Sequence, residues 1–131
     1  MNSPVSTTRL HQIATDACEA ALRTAESYNH ANVSEWNDTI INTILKSLIS
    51  ETSTGPNSQP GFKYCVNSTI IQHLAPSTAA IEGGSPVGRR GMHSAVGAYW
   101  NNEKDGLWSF KYEGGEKKGM DIVISIMWVA I

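Results

Sequence analysis

The last eleven residues, Asp121 to Ile131, constrain the chain more than any other stretch. They contain no Gly or Pro and one charge, at the start. In a β-strand alternate side chains point to opposite faces. One face then reads Ile122, Ile124, Ile126, Trp128 and Ala130, and the other Val123, Ser125, Met127, Val129 and Ile131. Both are largely apolar, so this strand needs cover on two sides, whereas antiparallel sheets in small domains commonly leave one face in water.

Two helices precede it. Leu10, Ile13, Ala14, Ala17, Ala21, Ala25 and Tyr28 recur at helical spacing, which predicts a first helix from Thr8 to Tyr28 with an Ala-rich stripe that permits close approach. Val33, Trp36, Ile40, Ile44, Leu45, Leu48 and Ile49 form the stripe of a second helix. Asn32 and Glu35 stand at the spacing of a capping box before it. Residues 51–61, with two Pro and two Gly, end that helix in a loop.

Four strands follow. Residues 62–74 alternate, with Phe62, Tyr64, Val66, Ser68 and Ile70 on one face. Residues 75–90 predict a long flexible loop without essential chemistry, from their Gly, Pro, Ser and Ala content. A slim second strand is expected over 92–100, where Ala95, Gly97 and Ala98 allow close approach. Residues 107–113 place Trp108, Phe110 and Tyr112 on one face, and 114–119 turn the chain into the last strand. Helices followed by strands indicate an α+β fold, two helices on a four-stranded antiparallel sheet. Residues 1–7 are expected to be a flexible N-terminus and 8–131 a single domain.

Two helices can cover only one face of such a sheet. The second face of the last strand, Val123, Ser125, Met127, Val129 and Ile131, therefore predicts a homodimer interface, because apolar area is worth roughly 25 cal/mol per Å² and two-fold dimers are the commonest oligomers. The second strand predicts a peptide-binding edge that takes an extended partner segment by strand addition. Its residues are Met92, His93, Ser94, Ala95, Val96, Gly97, Ala98, Tyr99 and Trp100, and the entry of the first strand, Phe62, Lys63 and Tyr64, is expected to help line its side-chain pockets.

Catalytic and cofactor signals fail in detail. Residues 83–89 have the Gly-x4-Gly-basic spacing of a phosphate loop. However, Arg89 and Arg90 stand where Lys and Ser or Thr belong, and a strand follows instead of a helix. His11, His30, His73 and His93 lie on separate elements, away from metal-ligand spacing, and read as solvated or singly hydrogen-bonded. Cys18 and Cys65 fit neither a metal motif nor a catalytic signature and read as small buried hydrophobes. A net charge of −2 with both signs scattered gives no nucleic-acid footprint. No apolar run reaches membrane-spanning length, and the N-terminus shows no signal-peptide pattern, so a reducing cytosol is the expected compartment. The expectation is a binding protein without cofactor, metal or catalysis.

The chain resembles the Tctex-type cytoplasmic dynein light chains. The likeness is carried by Tyr28-Asn29-His30 with Val33 and Trp36, by Phe62-Lys63-Tyr64 with Ile70-Ile71-Gln72, by His93-Ser94-Ala95 with Tyr99-Trp100, by Asp105-Gly106, and by the closing Ile- and Val-rich strand. It implies a homodimer that exchanges one strand. It also implies a non-catalytic light chain that binds an extended segment of the dynein intermediate chain, and cargo in some members, in the cytoplasm on the microtubule cytoskeleton. The connection from His73 to Gly91 departs from the family's short turn, and it leads into the strand that is exchanged. The alternatives are a cargo or scaffold adaptor of the same fold independent of dynein, and a small-ligand-binding α+β dimer.

Overall fold

The computed structural model describes residues 3–54, 59–73 and 91–131. Helix α1 spans Thr7–Ala21 and α2 spans Val33–Thr52. A two-stranded ribbon, β1 (Ser53–Thr54) with β2 (Gln59–Pro60), links α2 to the main sheet. That sheet holds β3 (Phe62–Gln72), β4 (Gly106–Tyr112) and β5 (Met120–Ala130) in the order β3-β5-β4, all antiparallel. The last strand is thus the centre of the sheet.

The register explains the packing. β5 pairs with β3 from Phe62↔Ala130 to Gln72↔Met120, and with β4 from Gly106↔Trp128 to Tyr112↔Ile122. Ile122, Ile124, Ile126 and Trp128 consequently share the inner face, where they are buried with Leu10, Ile13, Ala14, Ala17 and Cys18 of α1 and Ile40, Ile44 and Leu48 of α2. α1 lies by β4, where the His11 and Phe110 rings meet edge to face at 4.6 Å. α2 lies over β3: Ser68 Oγ donates to Asn37 Oδ1 at 2.8 Å and Tyr64 Oη to Thr52 Oγ1 at 2.8 Å. Ala14 and Ala17 are fully buried, so the small stripe of α1 is what lets the helix sit close.

The helix ends differ from expectation. Ser6 caps α1, its side chain accepting from the Arg9 amide at 3.1 Å. The helix stops at Ala21 rather than reaching Tyr28. Lys118 Nζ donates to the Leu22 carbonyl at 2.6 Å, and the Tyr28 amide donates to the Lys118 carbonyl at 2.9 Å, so beyond a short turn closed by the Ala25 amide on the Leu22 carbonyl this stretch is tied to the turn before β5. Ala25 and Tyr28 still pack against the core. The capping box at Asn32 does not form. Asn29 closes its own turn first, accepting from the Ala31 amide at its side chain and from the Asn32 amide at its carbonyl. Asn32 is left in helical backbone conformation with no side-chain cap bond.

Among the described residues the main sheet of one protomer has three strands, where four were expected. Residues 92–100 form no strand. The segment runs beside the outer edge of β4 without joining it, and Ala95, Gly97 and Ala98 bring little apolar area to hold it in a ladder. A 3₁₀ turn, Glu116–Lys118, leads into β5 and closes at Gly119, whose φ of 78° favours glycine. The flexible loop expected over 75–90, with the phosphate-loop spacing in it, lies outside the described residues.

Candidate peptide-binding site

Residues 91–100 form an arm beside β4. All but Trp100 are exposed, and Tyr99 is fully so. The arm follows β4 in the opposite direction. Met92 shares a cavity with Lys111, Ser94 Oγ is 3.5 Å from Ser109 Oγ, and Val96 shares a second cavity with Leu107. The second cavity, about 390 Å³, is lined by Ser94, Ala95, Val96 and Trp100 from the arm and by Asn102, Asp105, Gly106 and Leu107 from the root of β4. The first, about 120 Å³, lies among Ile71, Gly91, Met92, Lys111, Asp121 and Val123. The structure thus brings Ser94, Ala95, Val96 and Trp100 together in one groove.

Phe62, Lys63 and Tyr64 lie elsewhere within a single protomer. Tyr64 and Gly106 both face Trp128, from opposite sides of β5. The two groups are therefore two strand spacings apart, about 10 Å. Phe62 and Tyr64 are half-buried on the helix side, with ring centroids 6.3 Å apart, while Lys63 is exposed on the other face. Burial raises the Tyr64 hydroxyl above the usual tyrosine value, with the Thr52 hydrogen bond opposing it.

The outer face of β5 behaves as its alternation suggests. Val123, Ser125, Met127 and Val129 are half-buried and Ile131 is exposed. Cys65, opposite Met127, corrects the expectation that both cysteines are buried: it is exposed on this outer face. Cys18 is buried in the core, and burial pushes its thiol up to about 12.

Sequence reasoning missed two polar groupings. His73, buried and not solvated, has Nε2 at 3.7 Å from Asp121 Oδ1, with Lys111 Nζ at 3.8 Å from Asp121 Oδ2. Asp105 is also buried, accepting from the Asn101 amide at 2.8 Å and the Ala130 amide at 2.6 Å. The lone charge opening the last strand was the only sequence hint of the first, and the turn-rich 101–106 loop of the second. Among the described residues no group of three or more His, Cys, Asp and Glu side chains could hold a metal ion, and no helix is long and apolar enough to cross a membrane.

Among the described residues, helices packed on one face of a three-stranded antiparallel sheet, with an extended arm beside a free edge strand, define a small α+β domain with a strand-like segment still unpaired. The chain belongs to the Tctex-1 family, whose model matches residues 4–129. It is 33% identical over 131 residues to a dynein light chain Tctex-type of Schizosaccharomyces pombe, covering all of both chains. It is 27% identical over 105 residues to a dynein light chain Tctex-type of Drosophila melanogaster, covering 80% of this chain and 73% of the relative. It is 22% identical over 121 residues to the human dynein light chain Tctex-type 3, covering 92% of this chain and 83% of the relative.

Proposed function

We propose that this protein is a non-catalytic dynein light chain, a homodimeric adaptor that binds an extended segment of the dynein intermediate chain by β-strand addition. The observation that carries the reading is the arm. Among the described residues, 91–99 are exposed and unpaired next to β4, whose outer edge carries the unpaired N–H and C=O groups of an edge strand. A second copy supplies the missing ladder: the arm of each protomer pairs with β4 of the other, making two four-stranded sheets. The arm's own far edge then takes the partner segment, with main-chain hydrogen bonds supplying affinity and side-chain pockets supplying selectivity. The same association covers Val123, Met127 and Val129. A dimer with two equivalent grooves holds two intermediate chains side by side and gains through effective concentration. Cytoplasmic, microtubule-associated action through dynein follows from this role, with cargo proteins as further partners.

Titrating the protein with an intermediate-chain N-terminal peptide from the same organism, in a calorimeter, tests this. One peptide should bind per subunit, and light scattering should report about twice the 14.2 kDa chain mass. Absence of heat and of a mobility shift at high micromolar peptide would reject the light-chain reading.

A further inference from the structure

Asp105 is a buried carboxylate, 5% exposed, outside the strand-pairing scheme above. Its two oxygens accept from different elements. Oδ2 takes the Asn101 amide at 2.8 Å, at the root of the arm, and Oδ1 takes the Ala130 amide at 2.6 Å, at the end of β5. The intervening turn is tied as well. The Lys104 and Asp105 amides donate to the Asn101 carbonyl at 3.1 and 2.8 Å, and the Glu103 amide donates to Asn101 Oδ1 at 2.9 Å. One residue beyond Ala130, the Ile131 amide donates to the Gly61 carbonyl at 3.0 Å, so the strand end that Asp105 grips is itself anchored to the start of β3.

We propose that Asp105 is the positioning residue of the arm, clamping its root at Asn101 to the end of β5 at Ala130 and so fixing the direction in which residues 91–100 leave the sheet toward a second copy. This rests on the dimeric-adaptor reading and deepens it. Closing the turn needs only the Asn101 bonds. The bond to Ala130 crosses 25 positions of sequence and does nothing for the turn itself. A buried carboxylate is retained only where its hydrogen bonds offset desolvation, and here they join the rigid sheet to an extended segment that has no ladder among the described residues. An arm held at its root has fewer orientations to lose when it pairs, which lowers the entropic cost of association.

The test is Asp105→Asn in the full chain. The amide retains one acceptor and sets an N–H against one of the two backbone donors. The Asn101 and Ala130 amides should exchange with solvent roughly tenfold faster or more, while Ile124 and Ile126 keep their protection. The dimer dissociation constant from sedimentation should rise about tenfold, and peptide affinity should fall with it. Faster exchange at those two amides with unchanged dimer and peptide affinity would overturn the proposal, since Asp105 would then only fasten a loop. Accelerated exchange throughout the sheet, with dimerisation of the folded fraction unchanged, would also overturn it. If Asp105→Asn does not fold, Ala130→Pro removes the strand-end donor, while also fixing φ at the last residue of β5, and is judged by exchange at the Asn101 amide, the dimer constant and peptide affinity. Wild-type protein that dimerises but ignores the peptide rejects the intermediate-chain reading and leaves the dimer constant to judge the clamp. A wild-type monomer at all concentrations overturns the clamp, because no second copy remains to be met.

Discussion

Arg9 and Glu51 join the start of α1 to the end of α2 through a two-pronged contact, Nε to Oε1 at 2.8 Å and the second guanidinium nitrogen to Oε2 at 2.7 Å. The hydrogen bond from Arg9 holds the Glu51 carboxyl below the usual glutamate value. A carboxylate whose folded value is depressed stabilises the fold above its unfolded value, and that contribution disappears as the pH falls through the folded value. The pair should therefore act in full above the ordinary value of 4.5 and fade below it. Both side chains are partly exposed, so water and salt screen them. Arg9→Ala should lower the thermal midpoint slightly at neutral pH and low salt, and less at high salt or pH 3. An equal loss at pH 3 and pH 7 would assign the effect to packing of the arginine stem.

The two thiols should separate cleanly. Cys18 is buried with its thiol raised to about 12, so it should resist a thiol reagent at pH 8 until the protein unfolds. Cys65 is exposed in a protomer and should label in the native state. Because Cys65 lies beside Met127 on the face proposed to meet a second copy, its labelling rate should fall as protein concentration rises. A rate independent of concentration across the dimer's dissociation range would place the interface away from this face.

Met127 sits between Cys65 and Leu107, with no cation directly opposite on either strand. Met127→Asp should dissociate the dimer, since an unpaired charge buried in an interface costs ~3–5 kcal/mol. The inner face is untouched, so circular dichroism should stay native while light scattering falls to the 14.2 kDa of one chain. A soluble dimer of unchanged stability would move the interface elsewhere.

Gly97 offers the sharpest probe of the groove. A Cβ built there meets nothing within 4 Å, and the residue is exposed, so Gly97→Trp should leave the fold of a protomer intact. On an arm paired with a second copy, the indole stands where the peptide backbone must approach. Peptide affinity measured by calorimetry should fall by at least about tenfold, or 1.4 kcal/mol, with dimer mass unchanged. Undiminished binding would put the groove on another edge.

The chain's own order of residues determined much of the fold. Helical spacing marked both helices because each buries a single stripe, and period-two alternation separated the faces of β3, β4 and β5. The absence of breakers and the two apolar faces made residues 121–131 readable as the strand around which the sheet is built. The arm was legible as a slim extended segment, but not its lack of a ladder, because whether a segment joins a neighbouring edge depends on tertiary contacts that its own residues do not record. Tertiary structure alone decided the rest. Asp105 reaches Ala130 across 25 positions, and His73 meets Asp121 only because the ends of β3 and β5 coincide. Cys65 alternates outward on a face that the helices do not reach. Periodicity records which way a side chain points relative to its neighbours in sequence. Hydrogen bonds between distant elements leave no periodic trace, so the polar groups that fix the arm's root became visible only when the sheet brought them together.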